Sequence, residues 1–405
     1  MAARILILAD DLSGAADCAV ACHRAGMTAK VCLEPQALQV PADALAIDLD
    51  TRPRSPAEAW AMTLSIKTLI DGRAVYRKID STLRGHVALE IAATLEAAGP
   101  GSFAVVCPAY PVTGRTMVGG GIFVNGQPLA DTEIWRRSGR GSTRLETLLA
   151  DAGLAPQALS LDQVRGGGLR AAIEAARAGG ARAVVCDAET DADLTAIVEA
   201  SLGRPGVLWA GSGGLTIPLA RALSPRREPE PYRVTRRPGP HLVVVGSASS
   251  VSREQLAVLA ADPRVHLITV PPRVLLEGPD APGWRPMSRT LVAAVGKAGK
   301  DTVAVAIDPE APVEPAVGPA LASALGRMVG RQLGRFGSLT ATGGETARLI
   351  LGAVGATACC IRQEIEPGVV LSTVDGLPVV TKAGAFGDPQ SLARALAALR
   401  ALPLA

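Results

Sequence analysis

Two adjacent carboxylates, Asp10 and Asp11, follow the apolar run Arg4 to Ala9 and lead through Leu12-Ser13-Gly14-Ala15 into an alanine-rich stretch. An acid at the end of a strand can take a proton from a substrate hydroxyl or hold a magnesium ion, and it can equally cap the helix that follows. A second loop, Lys78-Ile79-Asp80-Ser81-Thr82-Leu83-Arg84-Gly85-His86, sets two cations, a carboxylate and two hydroxyls between a strand pattern and a helix pattern. Lys and Arg converging on one place suit an anionic substrate, because Arg offers a planar fork to a carboxylate and Lys a mobile point charge. The plainer reading is a solvated ion-pair loop with Ser81 or Thr82 as an N-cap. Asp50-Thr51-Arg52-Pro53-Arg54-Ser55 follows another strand pattern and can add an arginine to the same rim.

Glycine-rich turns supply a second kind of chemistry. Cys107-Pro108-Ala109-Tyr110-Pro111-Val112-Thr113-Gly114-Arg115-Thr116 runs on to Asn125-Gly126, a hairpin signal, and Trp209 to Thr216 contains the turn Gly211-Ser212-Gly213-Gly214. Three further loops lie in the second half: Gly246-Ser247-Ala248-Ser249-Ser250, Thr342-Gly343-Gly344-Glu345-Thr346 and Lys382-Ala383-Gly384-Ala385-Phe386-Gly387-Asp388. Ser252 to Gln255 has capping-box spacing, and Asp388-Pro389 is placed as N-cap and N1 of the last helix. Such loops accept phosphates, since exposed N–H donors and helix dipoles favour anions where a Cβ obstructs approach. Three together suggest a nucleotide. No G-x-x-x-x-G-K-[ST], no G-x-G-x-x-G at a strand-to-helix junction and no G-x-S-x-G is present, and the four histidines (His23, His86, His241, His266) stand far apart. An ordinary P-loop, a dinucleotide fingerprint and a Ser-His-Asp hydrolase therefore find no support.

The elements that must position these loops read as alternating strands and helices, the pattern of parallel sheets covered by helices. Expected strands are Arg4–Ala9, Ala44–Leu49, Ala74–Ile79, Phe103–Cys107 and Ala181–Cys186, then His241–Val245, Thr302–Ile307, Ser338–Ala341 and Val379–Thr381. SPRREPEPYRVTRRPGP, from Ser224 to Pro240, concentrates proline and charge. It marks a linker (225–240) between an N-terminal domain (1–224) and a C-terminal one (241–405). The fold class is thus α/β with two domains, each a mostly parallel sheet flanked by helices. A chain of 405 residues with 48% hydrophobic and 20% charged residues has enough apolar mass for two cores. Its net charge of +3 and 3% aromatic content recruit neither nucleic acid nor an acidic membrane. Seven cysteines without a C-x-x-C pair, including adjacent Cys359 and Cys360, argue against a disulfide framework or structural zinc. The N-terminal apolar run is too short for a signal segment, so a soluble cytoplasmic protein is expected, compatible with a homo-oligomer.

Taken in order, LADDLSGAAD, KIDSTLRGH, CPAYPVTGRT with GGGIFVNG, GSGGLT, VVGSASS, TATGGET and VTKAGAFGD resemble the four-carbon acid sugar kinase family over nearly the whole chain. The resemblance implies ATP-dependent phosphorylation of the terminal hydroxyl of threonate, erythronate or 3-oxo-tetronate, with Mg²⁺ as the expected companion of ATP and no metal ligands named. It implies a sugar-acid domain facing a nucleotide-binding domain across a cleft. Asp10, Asp11, Arg54, Lys78, Asp80, Ser81 and Arg84 then belong to the substrate half, with Gly213 and Gly214 at its edge. Ser247, Ser249, Gly343, Gly344, Glu345, Thr346, Gly384 and Gly387 border ATP. Lys78, Arg84 and Arg54 are expected to clamp the carboxylate, and Asp11 or Asp10, ahead of Asp80, to accept the proton. Two departures stand out. Leu12-Ser13 replaces Phe-Thr and keeps the hydroxyl, and EIWRRSGRGSTRLETLL after Asp131-Thr132 lacks the His-Pro-Leu-type segment associated with 3-oxo-tetronate kinases. A silent sugar-acid and nucleotide sensor, or an oxidoreductase acting on the same acids, are the competing readings.

Overall fold

The computed structural model describes residues 4–34, 41–70, 72–138, 141–224, 233–246, 249–311, 314, 317–384 and 386–405. Residues 225–232 of the expected linker and the expected nucleotide residue Ser247 lie outside the described residues. The chain divides into two compact units, one comprising Met1–Lys30 and Leu38–Pro229, the other Val31–Ala37 and Glu230–Ala405.

In the first unit, β1 (Ile5–Ala9), β3 (Ala44–Asp48), β4 (Ala74–Lys78), β5 (Phe103–Cys107), β9 (Pro156–Leu159), β10 (Ala183–Cys186) and β11 (Val207–Gly211) pair in parallel in the order β3-β1-β4-β11-β5-β10-β9. The division between the units passes through β2 (Ala29–Cys32). Every residue of β1, β3 and β5 is buried, as strands covered on both faces by helices must be. The helix Leu12–Arg24 packs on β3 and on the helix Gly213–Leu223. A separate antiparallel sheet joins β6 (Arg115–Val118), β7 (Gly121–Val124) and β8 (Gln127–Pro128). Its second turn is the expected Asn125-Gly126, with φ of 50° and 79°.

In the second unit, β12 (His241–Val245), β13 (Val265–Val270), β14 (Thr302–Ile307), β15 (Ser338–Thr342) and β18 (Leu377–Lys382) are parallel in the order β13-β14-β12-β15-β18. β17 (Val369–Val374) then pairs antiparallel with both β18 and β16 (Ala358–Glu366). Val243, Val245, Leu256, Leu259, Ala304, Ala306, Leu392 and Leu396 form a core on one sheet face.

The nine expected strands are present, with ends shifted by two residues at most. The antiparallel β16–β17–β18 hairpins were not expected, although Asp375-Gly376 between β17 and β18 has the positive φ values of a tight hairpin turn (47° and 79°). Two caps are corrected. Ser249, not Ser252, caps the helix Ser250–Ala260 by accepting the Ser252 N–H. The last helix is Ser391–Arg400 with Gln390 as its cap, and Asp388 instead accepts the Gln390 N–H at 2.8 Å.

The strands of both units are counted in one 15-stranded sheet rather than the two sheets expected, and within each unit the strand order reverses beside that unit's first strand. From β1 the chain builds β3 on one side and β4 on the other; from β12 it builds β14 on one side and β15 on the other. The crevice at the carboxyl ends of such a pair is where open parallel sheets bind ligands. The acidic and basic loops of the first unit and two of the glycine loops of the second emerge at these places.

Candidate functional site

In the first unit, the ends of β1, β3 and β4 bring their loops together. Asp11 caps the helix Leu12–Arg24, its Oδ1 accepting the Gly14 N–H at 2.9 Å, so the capping reading of the acid pair holds for one oxygen. Its Oδ2 accepts from Arg52 Nη1 at 3.0 Å. The Arg52 fork also grips Asp10, with Nε donating to Oδ2 at 2.7 Å and Nη2 to Oδ1 at 2.9 Å. Asp80 accepts from Arg84 at 3.1 and 2.6 Å and from the Thr82 N–H at 2.9 Å, while Arg52 Nη2 lies 3.6 Å away.

These contacts set the charges. Burial opposes ionisation of Asp10, but the Arg52 guanidinium and the Lys78 ammonium hold its carboxyl below the usual range. Asp80 is likewise buried, yet Arg84 and Arg52 keep it well below that range. Lys78 is pulled down by burial and more than recovered by the Cys18 sulfur and the carboxylates of Asp10, Asp11 and Asp80, so it stays charged.

Lys78 makes no direct ion pair among the described residues. Its ammonium lies against the first turn of the helix Leu12–Arg24, where a Cβ on Gly14 would come within 2.9 Å of Nζ. The buried Ser13 hydroxyl in that turn also lacks a hydrogen-bond partner.

The other expected residues fall as follows. Ser81 is buried in the same loop. Arg54 turns away: its guanidinium donates to the Asp50 carboxylate at 3.0 Å, and its carbonyl meets His86 Nε2 at 2.8 Å. Gly213 and Gly214 are buried where a Cβ would lie 2.0 Å from Asp17 Oδ2 and 2.5 Å from the Ala109 carbonyl oxygen. Close packing of this turn accounts for both glycines. Arg52, which gathers the acids, was not singled out from the sequence. A weak signal existed, because a residue before proline (Pro53) is confined to extended backbone.

In the second unit, Gly343 has φ of 88° and precedes the helix Gly344–Gly352, with Gly344 and Thr346 buried and Glu345 half-buried in its first turn. A Cβ on Gly246 would lie 2.1 Å from Thr346 Oγ1, so that helix start can approach the end of β12 only because a glycine is there. First-turn N–H groups of a helix lack intrahelical partners and suit an anion.

The third glycine loop is held from beneath. The buried Lys382 ammonium donates to the carbonyls of Ala383 and Phe386 at 2.8 Å each and to that of Gly384 at 3.4 Å. Ser249 and Ser252 also donate to the Gly384 carbonyl, each at 3.0 Å, and Gln255 donates to those of Phe386 and Asp388. Burial drops Lys382 to about 8 despite the nearby Glu366. Gly387 is in the left-handed region (φ 83°), with its Cβ position 2.1 Å from Ser391 Oγ.

Among the described residues, no group of three or more His, Cys, Asp or Glu side chains could hold a metal ion. The carboxylates of Asp10 and Asp80 each face guanidinium donors on both oxygens, which does not fit a Mg²⁺ bound there.

A family model described as a sugar-binding N-terminal domain matches residues 5–219, and one described as a nucleotide-binding C-terminal domain matches residues 242–392. A D-threonate kinase of Cupriavidus necator is 42% identical over 404 residues, covering 96% of each chain. A D-threonate kinase of Bordetella bronchiseptica is 34% identical over 415 residues, covering 97% of each. A Salmonella typhimurium LT2 protein of solved structure shares the fold, with a TM-score of 0.76 at 23% identity over 98% of this chain and 99% of that one.

Proposed function

The chain belongs to the four-carbon acid sugar kinase family, and from that premise we propose that it transfers the γ-phosphoryl group of ATP to the terminal hydroxyl of D-threonate. That it is a phosphotransferase acting on four-carbon sugar acids follows from full-length kinship with such kinases. The choice of D-threonate rests on the names of the relatives, together with the missing His-Pro-Leu-type segment.

One observation carries the reading: each matched domain places its chemistry at its own switch point, acids and a lysine in the sugar-binding one, glycine-fronted helix starts in the nucleotide-binding one. Lys78, which makes no direct ion pair among the described residues, takes the substrate carboxylate, with Arg84 held nearby on Asp80. Asp11 is the proton acceptor, because it is more exposed than Asp10 (side chain 15% against 2%) and meets the Arg52 guanidinium through one oxygen rather than two. Asp10 supports its charge balance. The hydroxyl oxygen bonds to the γ-phosphorus, the bond from that phosphorus to the β,γ-bridging oxygen breaks, ADP leaves, and the hydroxyl proton passes to Asp11.

The triphosphate is taken by the first turn at Gly344, Glu345 and Thr346 and by the loops through Ser247, Ser249, Gly384 and Gly387. Mg²⁺ bound with the nucleotide would supply charge neutralisation.

The test is ADP release from Mg-ATP with D-threonate, L-threonate, D-erythronate and 3-oxo-tetronate. D-Threonate should give the highest kcat/KM, and Asp11→Asn should lower kcat by roughly 10²- to 10⁴-fold, the range of general-base contributions. ADP release with none of these acids sinks the reading.

A further inference from the structure

We infer that Arg52 is the positioning residue of the acid pair, its guanidinium locking Asp10 and Asp11 into the one geometry in which Asp11 can receive the hydroxyl proton. The inference rests on the kinase reading above and adds to it a residue that neither the sequence motifs nor the relatives' names assign. Three guanidinium donors reach three of the four oxygens of the pair, and the Gly14 N–H takes the fourth. A planar fork can do this and an ammonium cannot.

The loop that carries Arg52 is itself fixed. Its backbone N–H donates to the Asp10 carbonyl at 3.3 Å, and the neighbouring Thr51 hydroxyl bonds to Glu90, which pairs with the fully buried Arg77 at 2.5 Å. Gly85, with φ of 85°, leaves room for the Asp10 carboxylate that the fork grips: a Cβ there would stand 2.9 Å from Asp10 Oδ2. With three of its five N–H donors on Asp10 and Asp11 and with Asp80 at 3.6 Å, Arg52 is held chiefly by the protein's own acids.

The charged groups facing the pair are Arg52 after β3, Lys78 at the end of β4, Asp80 and Arg84 in the following loop, and Arg115 of β6 near Asp80. Two neighbouring carboxylates without the guanidinium repel, and one of them takes up a proton more readily.

Full-length Arg52→Gln and Arg52→Lys are to be compared with wild type in kcat and KM across pH, alongside carbon-detected NMR titration of the Asp carboxylates, which needs no turnover. For Arg52→Gln the acid limb of the profile and the Asp10 titration should move up by about 1–3 pH units. In both variants kcat should fall by at least about tenfold while KM for the acid stays within about threefold, the mark of an interaction that matters in the transition state. Arg52→Lys keeps the charge, so its acid limb should remain closer to wild type; should Arg52→Gln fail to fold by thermal melting, this variant's loss of kcat decides. A raised KM with kcat retained would make Arg52 a substrate ligand and overturn the inference, as would unmoved carboxylate titrations in Arg52→Gln. Failure of the kinase reading itself shows in the wild type, which would release no ADP, and leaves the NMR comparison to judge Arg52.

Discussion

Lys78 and Arg84 stand six positions apart in one loop, yet the fold gives them different work. Arg84 is bonded through two nitrogens to Asp80, whereas Lys78 has no ion pair among the described residues and lies at the helix start behind Asp11. A charged hydrogen bond is worth about 1.5–3 kcal/mol, so Lys78→Met should raise KM for the sugar acid by roughly 10- to 100-fold. Arg84→Gln should raise it less, since its first effect is to release Asp80. Steady-state kinetics on the two variants checks the order, and equal effects would return the carboxylate to a shared clamp. The sequence shows that cations and acids cluster here, but it cannot say which pairs they form. Arg52 and Arg54 flank one proline in a charged loop; which of them reaches Asp10 depends on the path of the backbone through Asp50, whose φ of 49° no residue pattern announces. The exposed Arg54 consequently looks as good as the half-buried anchor Arg52.

Elements were more legible than contacts, because β-branched runs buried on both faces leave a clear mark: β5, β12 and β14 begin and end where the apolar pattern does. β16 and β17 were missed because their partner is a neighbouring hairpin strand and their composition does not separate antiparallel from parallel pairing. Glycine loops are the ambiguous class, since glycine serves ligand approach and tight packing alike. Gly214 belongs to packing on the geometry, its Cβ position 2.5 Å from the Ala109 carbonyl oxygen and 3.0 Å from the Tyr110 Cα. Gly214→Ala should cost about 1–3 kcal/mol of stability, the usual range for overpacking, and lower the thermal midpoint while KM for both substrates stays unchanged in the folded fraction. A selective rise in KM instead would assign it to ligand. Between β12 and β15, His241 Nδ1 meets Ser338 Oγ at 2.6 Å, and burial together with Arg236 and Arg400 pushes the imidazole down to about 4. Between about 6.5 and about 4 the unfolded chain therefore binds a proton that the native state does not, so this group lowers stability as pH falls through that window. Urea unfolding of His241→Gln across the same range should show a shallower loss than wild type; parallel curves would remove His241 from the account.

At the scale of the whole chain, the near balance of 41 basic and 38 acidic residues leaves function to local clusters, and the two units differ in what their clusters offer. The boundary between them is where linear reading runs short. Proline and charge mark the passage near Ser224 to Pro240, but nothing in composition shows that Val31–Ala37 belongs with the C-terminal unit, because that membership arises from tertiary contacts. Within that unit the Leu33 N–H donates to the Thr357 carbonyl at 2.9 Å, just before β16. Leu33→Pro deletes this donor and with it a hydrogen bond worth about 0.5–1.5 kcal/mol net, so amide protection in Ala358–Val374 should fall by roughly 2- to 13-fold. Leu33→Ala, which keeps the N–H, controls for the lost side chain and should exchange more slowly in that hairpin than Leu33→Pro. The outcome distinguishes the two assignments of this segment: an early substitution that loosens β16 and β17 while β4 and β5 keep wild-type exchange ties it energetically to the C-terminal unit. Faster exchange confined to β4 and β5 would tie it instead to the sugar-binding unit, whose residues surround it in sequence.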